Sequence, residues 1–271
     1  MPTIEENRSI WDDSYDWRDA GEEWSSRWGG SYMQWYGTIL PRIRSLLPVD
    51  TILEIAPRYG RWTRFLREYC RRLIIVDLSE QCIEACRHRF ADCSHITYFV
   101  NDGASLDMIP DGSIDFAFSF DSLVHAEDIV LEKYVSQMPA KLSPDGSAFI
   151  HHSNLEAFDT FLKLDAAISK IPKLRPLLVR SGILDDVRSQ GRSTTMSAAK
   201  MKCYAGENGL GCVTQELVSW NSRRAIDCLS TLMRKSSPRY RKTLEWVNTS
   251  FFDEAAYLSK LSRLYVPESH S

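Results

Sequence analysis

An apolar stretch, Thr51-Ile52-Leu53-Glu54-Ile55, runs into the tight segment Ala56-Pro57-Arg58-Tyr59-Gly60-Arg61-Trp62. After a helical interval a second apolar stretch, Ile74-Ile75-Val76, ends in Asp77 and continues as Leu78-Ser79. Strand, loop, helix and strand, with an acid about twenty residues beyond the loop, is the layout of a nucleoside-binding βαβ unit. The loop lets the main chain approach a ligand, and the second acid accepts hydrogen bonds from a ribose.

The rest of the chain extends this unit. Strands are expected near 51–56, 72–77, 96–100, 113–120 and 146–151, and helices near 61–70, 80–91 and 127–142. Such alternation argues for a parallel sheet covered on both faces, with all strand C-termini on one edge, where ligands bind. Pro144-Asp145-Gly146 reads as a turn before the fifth strand. A helix is expected over 155–171, then an arginine-bearing segment with Arg175, Arg180, Arg188 and Arg192. Residues 172–193 are long for a plain connection, so they read as a functional insertion or a mobile loop. A helix near 195–207, a hairpin of strands near 212–219 and 225–233 turning at Asn221-Ser222, and a helix near 253–264 complete the chain. Residues 3–47 read as helical and aromatic, with Trp11, Tyr15, Trp17, Trp24, Trp28, Trp35 and Tyr36, interrupted at Gly29-Gly30. They serve either as a layer capping the sheet or as a lid over a ligand. Three regions result: a helical cap over 1–48, a cofactor-binding domain over 49–235 with an insertion near 155–193, and a C-terminal helical extension over 236–271.

The 271 residues, 44% hydrophobic and 25% charged, suffice for one large α/β domain. A net charge of -3 gives no general field for nucleic acid or anionic membrane. No apolar run approaches the ~18 residues of a membrane span, and the acidic, Trp-rich start has no signal-peptide core. A cytoplasmic protein is expected. The seven cysteines include no C-x-x-C pair, and reduced, packed thiols are expected.

Alternating strands followed by a terminal hairpin, together with several short motifs in order, resemble the class I S-adenosylmethionine-dependent methyltransferases over roughly residues 50–235. The motifs are Glu54 in the first strand, Asp77 after the second, Asn101-Asp102-Gly103 after the third, Ile114–Asp121 in the fourth, and Leu142–Gly146 before the fifth. Longer matches are Phe118-Ser119-Phe120-Asp121-Ser122-Leu123-Val124-His125-Ala126-Glu127 and Phe149-Ile150-His151-His152-Ser153-Asn154. They are similar to the sugar O-methyltransferases typified by the mycobacterial methylmannose polysaccharide 1-O-methyltransferase. The resemblance implies a Rossmann-like seven-stranded sheet with an antiparallel last strand. It also implies a homodimer, S-adenosylmethionine, Mg²⁺ as a further expected ligand, and a saccharide hydroxyl as acceptor. A small-molecule or oligosaccharide partner follows, with no nucleic acid and no membrane. The cofactor residues it implies are Glu54, Ala56, Arg58, Gly60, Asp77, Leu78, Asp102, Gly103 and Ser119.

One departure bears on cofactor binding. The subgroup is expected to carry glycine at position 58 and another in place of Ala56. Glycine permits positive φ and close main-chain approach. Arginine there either clashes with the methionine tail, folds outward, or pairs with the methionine carboxylate. Arg58 motivates one alternative to the sugar methyltransferase, a degenerate fold kept as a binding protein; the other alternative is the same apparatus acting on a non-sugar metabolite.

Methyl transfer from a sulfonium is an in-line displacement that needs the acceptor oxygen held ~3 Å from the methyl carbon. A sugar hydroxyl is a poor nucleophile near neutral pH, so a general base, a metal, or both are needed. Histidine suits a base, with an ordinary pKa of ~6.5. His152 is the first choice and His125 the second, against the alternative that they only bond loop carbonyls. Asp121 either orients the acceptor or joins His151 as a metal site.

Overall fold

A computed structural model gives the fold; it describes residues 3–17, 19–187, 190–220 and 222–264. Arg188 and Asn221 lie outside the described residues. The strands are β1 (Val49–Ile55), β2 (Cys70–Asp77), β3 (Ile96–Val100), β4 (Ile114–Ser119), β5 (Leu142–Ser153), β6 (Leu210–Val218), β7 (Asp227–Arg234) and β8 (Leu244–Asn248). They form one eight-stranded sheet in the order β3-β2-β1-β4-β5-β7-β6-β8. Strands β1 to β5 pair in parallel, and β7 inserts antiparallel between β5 and β6.

Two corrections to the expected sheet follow. It has eight strands rather than seven, because β8, in the segment expected to be a helical extension, pairs in parallel with β6. Four consecutive residues of β8 are exposed and only Asn248 is buried. An edge strand with no buried face leaves no period-2 signal. The reversed strand is therefore β7, next to last. The turn at Pro144-Asp145-Gly146 falls within β5, where the register against β4 shifts between Ile114 and Phe116. A Cβ on Gly146 would come 2.7 Å from the carbonyl oxygen of Ile114, so only glycine fits that bulge.

The helices in chain order are α1 (Ile4–Ser9), α2 (Ser31–Gln34), α3 (Leu40–Ile43), α4 (Thr63–Leu66), α5 (Glu80–Arg89), α6 (Asp128–Lys141), α7 (Asp159–Ser169), α8 (Leu174–Arg180), α9 (Ala198–Glu207) and α10 (Phe251–Leu264). Wider or tighter helical turns extend α1 through Ser14 and join α2 to α3. Thr3 and Glu6 form a reciprocal cap on α1. Ser79 Oγ caps α5 by accepting from the Cys82 N–H at 3.0 Å. The helix expected over 61–70 shrinks to α4 and one tight turn, because β2 already begins at Cys70.

Strand alternation divides the core. Ile52, Phe116, Phe118 and Phe149 face Trp35, Ile39 and Phe65 on one side of the sheet. Leu53, Ala117, Ala148 and Ile150 face Leu131, Val135, Met138 and Met201 of α6 and α9 on the other. Fully burying such side chains contributes roughly 1.5–3 kcal/mol each. All seven cysteines are free thiols. No helix among the described residues is long and apolar enough to cross a membrane.

Candidate active site

The loop after β1 takes the left-handed conformation three times, at Ala56 (φ 58°), Arg58 (φ 59°) and Gly60 (φ 78°). Non-glycine residues there cost about 1–3 kcal/mol each and persist only where surroundings over-determine them. They are so held here. The Ala56 N–H donates to the Val76 carbonyl at 2.8 Å, and the Arg58 N–H to Asp77 Oδ2 at 3.1 Å. Ser122 Oγ donates to the Ala56 carbonyl at 2.8 Å. The loop thus keeps the turn geometry without glycine at 56 or 58.

Beside it lies an apolar cleft lined by Ala56, Arg58, Val76, Asp77, Leu78, Gly103, Leu123, His125, Val130 and Tyr134. Ile4, Asn7 and Trp11 of the N-terminal helix close it, so residues 3–17 cover a ligand site as well as the sheet edge. The cleft is narrow, with about 40 Å³ of space between these side chains. Asp77 sits at the end of β2, buried, with burial pushing its carboxyl up. Asp77 Oδ1 accepts from the Ser79 N–H at 3.0 Å. Each oxygen keeps a lone pair for a further donor. The apolar side chains of Leu78, Leu123 and Ile4 suit a purine, and Asp77 suits ribose hydroxyls. The residues therefore fit the nucleoside of S-adenosylmethionine.

Other residues expected at the cofactor sit elsewhere. Glu54 is buried behind the loop, accepting from Thr63 Oγ1 at 2.6 Å, and desolvation pushes its carboxyl up to about 8. Gly60 does not line the cleft; a Cβ there would meet the Phe90 ring at 2.5 Å, so its glycine serves packing against α5. Asp102 is exposed and turned into its own loop, accepting from the Ala104 N–H at 2.9 Å and the Ser105 N–H. Ser119 is buried, and its hydroxyl has no partner among the described residues.

A second cavity, of about 310 Å³, adjoins the cleft and shares Trp11 and His125 with it. Trp24, Trp220, Asp121, Gln190 and Arg192 complete its wall. Asp121 follows β4 at φ 60°. Its N–H donates to His151 Nδ1 at 3.1 Å. Its Oδ2 accepts from Arg61 at 2.8 Å, and Arg192 lies 3.5 Å from Oδ1. Arg192 also grips Asp227, its Nε 3.2 and 3.1 Å from the two carboxylate oxygens. His151 Nε2 lies 3.2 Å from Asp227 Oδ2, off the line of a good hydrogen bond. Burial alone would push both acids up. For Asp121 the guanidinium groups of Arg61 and Arg192 outweigh it, and for Asp227 Arg192 and then His151 do, so both stay ionised below the ordinary range. Two carboxylates and two guanidinium groups balance beneath the cavity.

The three histidines separate. His125 lies in the wall between cleft and cavity, with Nδ1 2.8 Å from the Gly191 carbonyl. A carbonyl only accepts, which assigns the proton to Nδ1 and leaves a lone pair on Nε2. Desolvation, then Arg192 and Arg58, hold its pKa down to about 4. His152, the first choice for base, points to the opposite face. Its nitrogens meet the Ser153 carbonyl at 2.8 Å and Ser230 Oγ at 2.9 Å, and it lines neither chamber. His151 faces the cavity side; its Nδ1 accepts from the Asp121 N–H, which places its proton on Nε2, beside Asp227. The Asp121–His151 metal pair therefore does not fit a cation, because guanidinium groups already flank Asp121 and no lone pair of His151 is free. No cluster of three metal-binding side chains exists among the described residues.

Asp227, Arg61 and Trp220 were not anticipated. Asp227 carried a signal: a charged residue opening an otherwise apolar strand, Ile226-Asp227-Cys228-Leu229. The insertion is partly helical, through α8, and Arg175 pairs with Asp165 and Asp186. Arg180 is exposed at the end of α8. Of the described arginines of that segment, Arg192 reaches the site.

Residues 52–146 match the methyltransferase-domain family. Phosphoethanolamine N-methyltransferase 1 of Triticum aestivum is 25% identical over 169 residues, covering 60% of this chain and 34% of that protein. Nodulation protein S of Sinorhizobium fredii is 27% identical over 100 residues, covering 36% of this chain and 45% of that one. The chain thus spans less than half the length of either curated relative. Among solved structures, the PH0226 protein of Pyrococcus horikoshii OT3 aligns with a TM-score of 0.53 at 19% identity, over 84% of this chain and 96% of that one. PKMT2 of Rickettsia typhi, in complex with AdoHcy, aligns with a TM-score of 0.52 at 15% identity, over 76% and 55%. At such identities these two structures speak to the fold, whereas the domain match speaks to the family. Residues 52–146 thus match a methyltransferase-domain family, and the sheet that contains them shares the fold of these two solved structures.

Proposed function

We propose that the protein transfers a methyl group from S-adenosylmethionine to a saccharide hydroxyl. The observation that carries this reading is the cavity beside the cofactor cleft, walled by Trp11, Trp24 and Trp220 and furnished with Asp121 and Arg192. Sugars present apolar C–H faces and hydroxyl edges. Indole planes match the first, and a carboxylate with a guanidinium matches the second. S-adenosylmethionine, when bound, supplies the electrophilic methyl group. The chain's own residues then have three tasks. Asp77 holds the nucleoside. The tryptophans and Asp121 fix the acceptor and exclude water. His125 Nε2, in the shared wall, accepts the hydroxyl proton.

An amine acceptor is the second reading, suggested by the N-methyltransferase relative and by the capacity of aromatic walls to hold a cation. The charge balance disfavours it, since Arg61 and Arg192 already neutralise Asp121. The test is an acceptor screen with purified protein and S-adenosylmethionine, reading S-adenosylhomocysteine release against panels of saccharides, phenols and amines. Turnover of saccharides supports the proposal. Inert saccharides beside an active amine or phenol overturn it.

A further inference from the structure

The family loop is expected to carry glycine where this chain has Arg58, and the Arg58 side chain does not turn to solvent. It is 7% exposed and lines the cofactor cleft with Asp77. Its guanidinium carbon lies 3.3 Å from the centroid of the Trp11 ring. Its Nε is buried and has no hydrogen-bond partner among the described residues. The nearby carboxylates are engaged elsewhere. Asp77 accepts from the main-chain N–H of Arg58 and of Ser79, and Asp121 sits between Arg61 and Arg192. Desolvation pushes Arg58 down to about 10; the charges of Asp77 and Asp121 offset part of that cost, but neither carboxylate is bonded to the guanidinium. The group therefore has a buried donor to offer an anion that enters the cleft.

We propose that Arg58 is the receptor for the carboxylate of the cofactor's amino-acid tail, presented by its stack on Trp11. This rests on the methyltransferase reading and adds a charge-specific contact that glycine cannot make. A guanidinium offers forked donors that match a carboxylate. Trp11 fixes the planar group and so lowers the entropy lost on binding. The opposite role, a plug that blocks the tail, uses the same position and predicts the opposite sign.

The experiment is calorimetric titration of the full chain and of Arg58→Met, Arg58→Lys and Arg58→Gly. The probes are S-adenosylhomocysteine, which has the tail carboxylate, and 5′-methylthioadenosine, which lacks it. Loss of a charge-assisted contact weakens S-adenosylhomocysteine about 10–100-fold in Arg58→Met. The same change leaves 5′-methylthioadenosine within about 3-fold, and Arg58→Lys recovers part of the loss. Arg58→Gly suits the positive φ, so it remains informative if the Met protein fails to fold. If Arg58→Gly binds S-adenosylhomocysteine as tightly as the parent or tighter, with 5′-methylthioadenosine unchanged, the receptor role is wrong. If neither nucleoside binds any of the proteins, the cofactor reading itself fails along with it.

Discussion

Asp227→Asn tests the buried network beneath the second cavity. The change is nearly isosteric and removes one negative charge. Arg192 touches both oxygens of Asp227 at 3.1 to 3.2 Å, and the two side chains are 5% and 0% exposed. Arg61 and Arg192 then face Asp121 alone, leaving one uncompensated positive charge out of water. Breaking a buried pair from one side costs about 3–5 kcal/mol, most of it the desolvation of the abandoned partner. For a chain of this size that is a fall of roughly 10 °C in Tm. The control is Asp159→Asn, whose partner Lys163 lies four residues on along α7 and whose side chain is half exposed. That pair is worth less than about 1 kcal/mol. Urea unfolding at pH 7 compares the three proteins. The pH dependence has a definite sign. Asp227 is held below its ordinary value, so its contribution is intact above the unfolded carboxylate range and disappears as pH falls through the folded pKa. The gap between parent and Asp227→Asn therefore closes on acidification. A loss no larger than the control, or a gap that widens toward acid, refutes the argument that this is an ionised, paired carboxylate.

Three further outcomes are expected. Gly60→Ala meets the Phe90 ring at 2.5 Å and adds strain at φ 78°, so it lowers stability by about 1–3 kcal/mol in denaturant titration; an unchanged midpoint refutes the packing role. Glu54 is buried as the neutral acid, its folded pKa near 8 against an unfolded value near 4.5. Its contribution is full below the unfolded value and falls as pH rises toward 8, so Glu54→Gln gains stability over the parent between pH 5 and pH 8; thermal melts at both values read this, and a constant difference refutes it. Guanidinium groups flank Asp121, so EDTA treatment followed by Mg²⁺ add-back leaves methyl transfer unchanged; activity restored only by the cation restores the metal reading.

The scaffold was legible because its signals are local. Buried parallel strands read as apolar runs, and the acid that ends β2 falls about twenty residues beyond the loop. The site was only partly legible because its parts come from distant segments. Asp121 meets Arg192 and Asp227 through the insertion and the reversed strand, and Trp11 reaches both chambers from the N-terminus. Nothing in the spacing of those residues records their meeting. Arg58 misleads for a different reason. Positive φ predicts glycine, but three hydrogen bonds around the loop hold the conformation without it.

The adjacent histidines show how far alternation alone could have gone. Side chains on a strand change face at every residue. Phe149 packs with Phe118 on the face that carries the N-terminal aromatic helices. Counting two residues along β5 puts His151 on that same face, and its ring indeed lies 4.7 Å from Phe120 and 5.1 Å from Trp220. His152 must then turn to the α6 and α9 side, where Ser230, diagonally across on β7, meets Nε2. The aromatic segment 3–47 needed a sheet face to cover, and Phe116, Phe118 and Phe120 shared the period that His151 continues. Phase relative to Phe149, rather than the identity of the residue type, separates the histidine at the site from the one in the core. The same count leaves His125, outside any strand, free to occupy the wall between the two chambers.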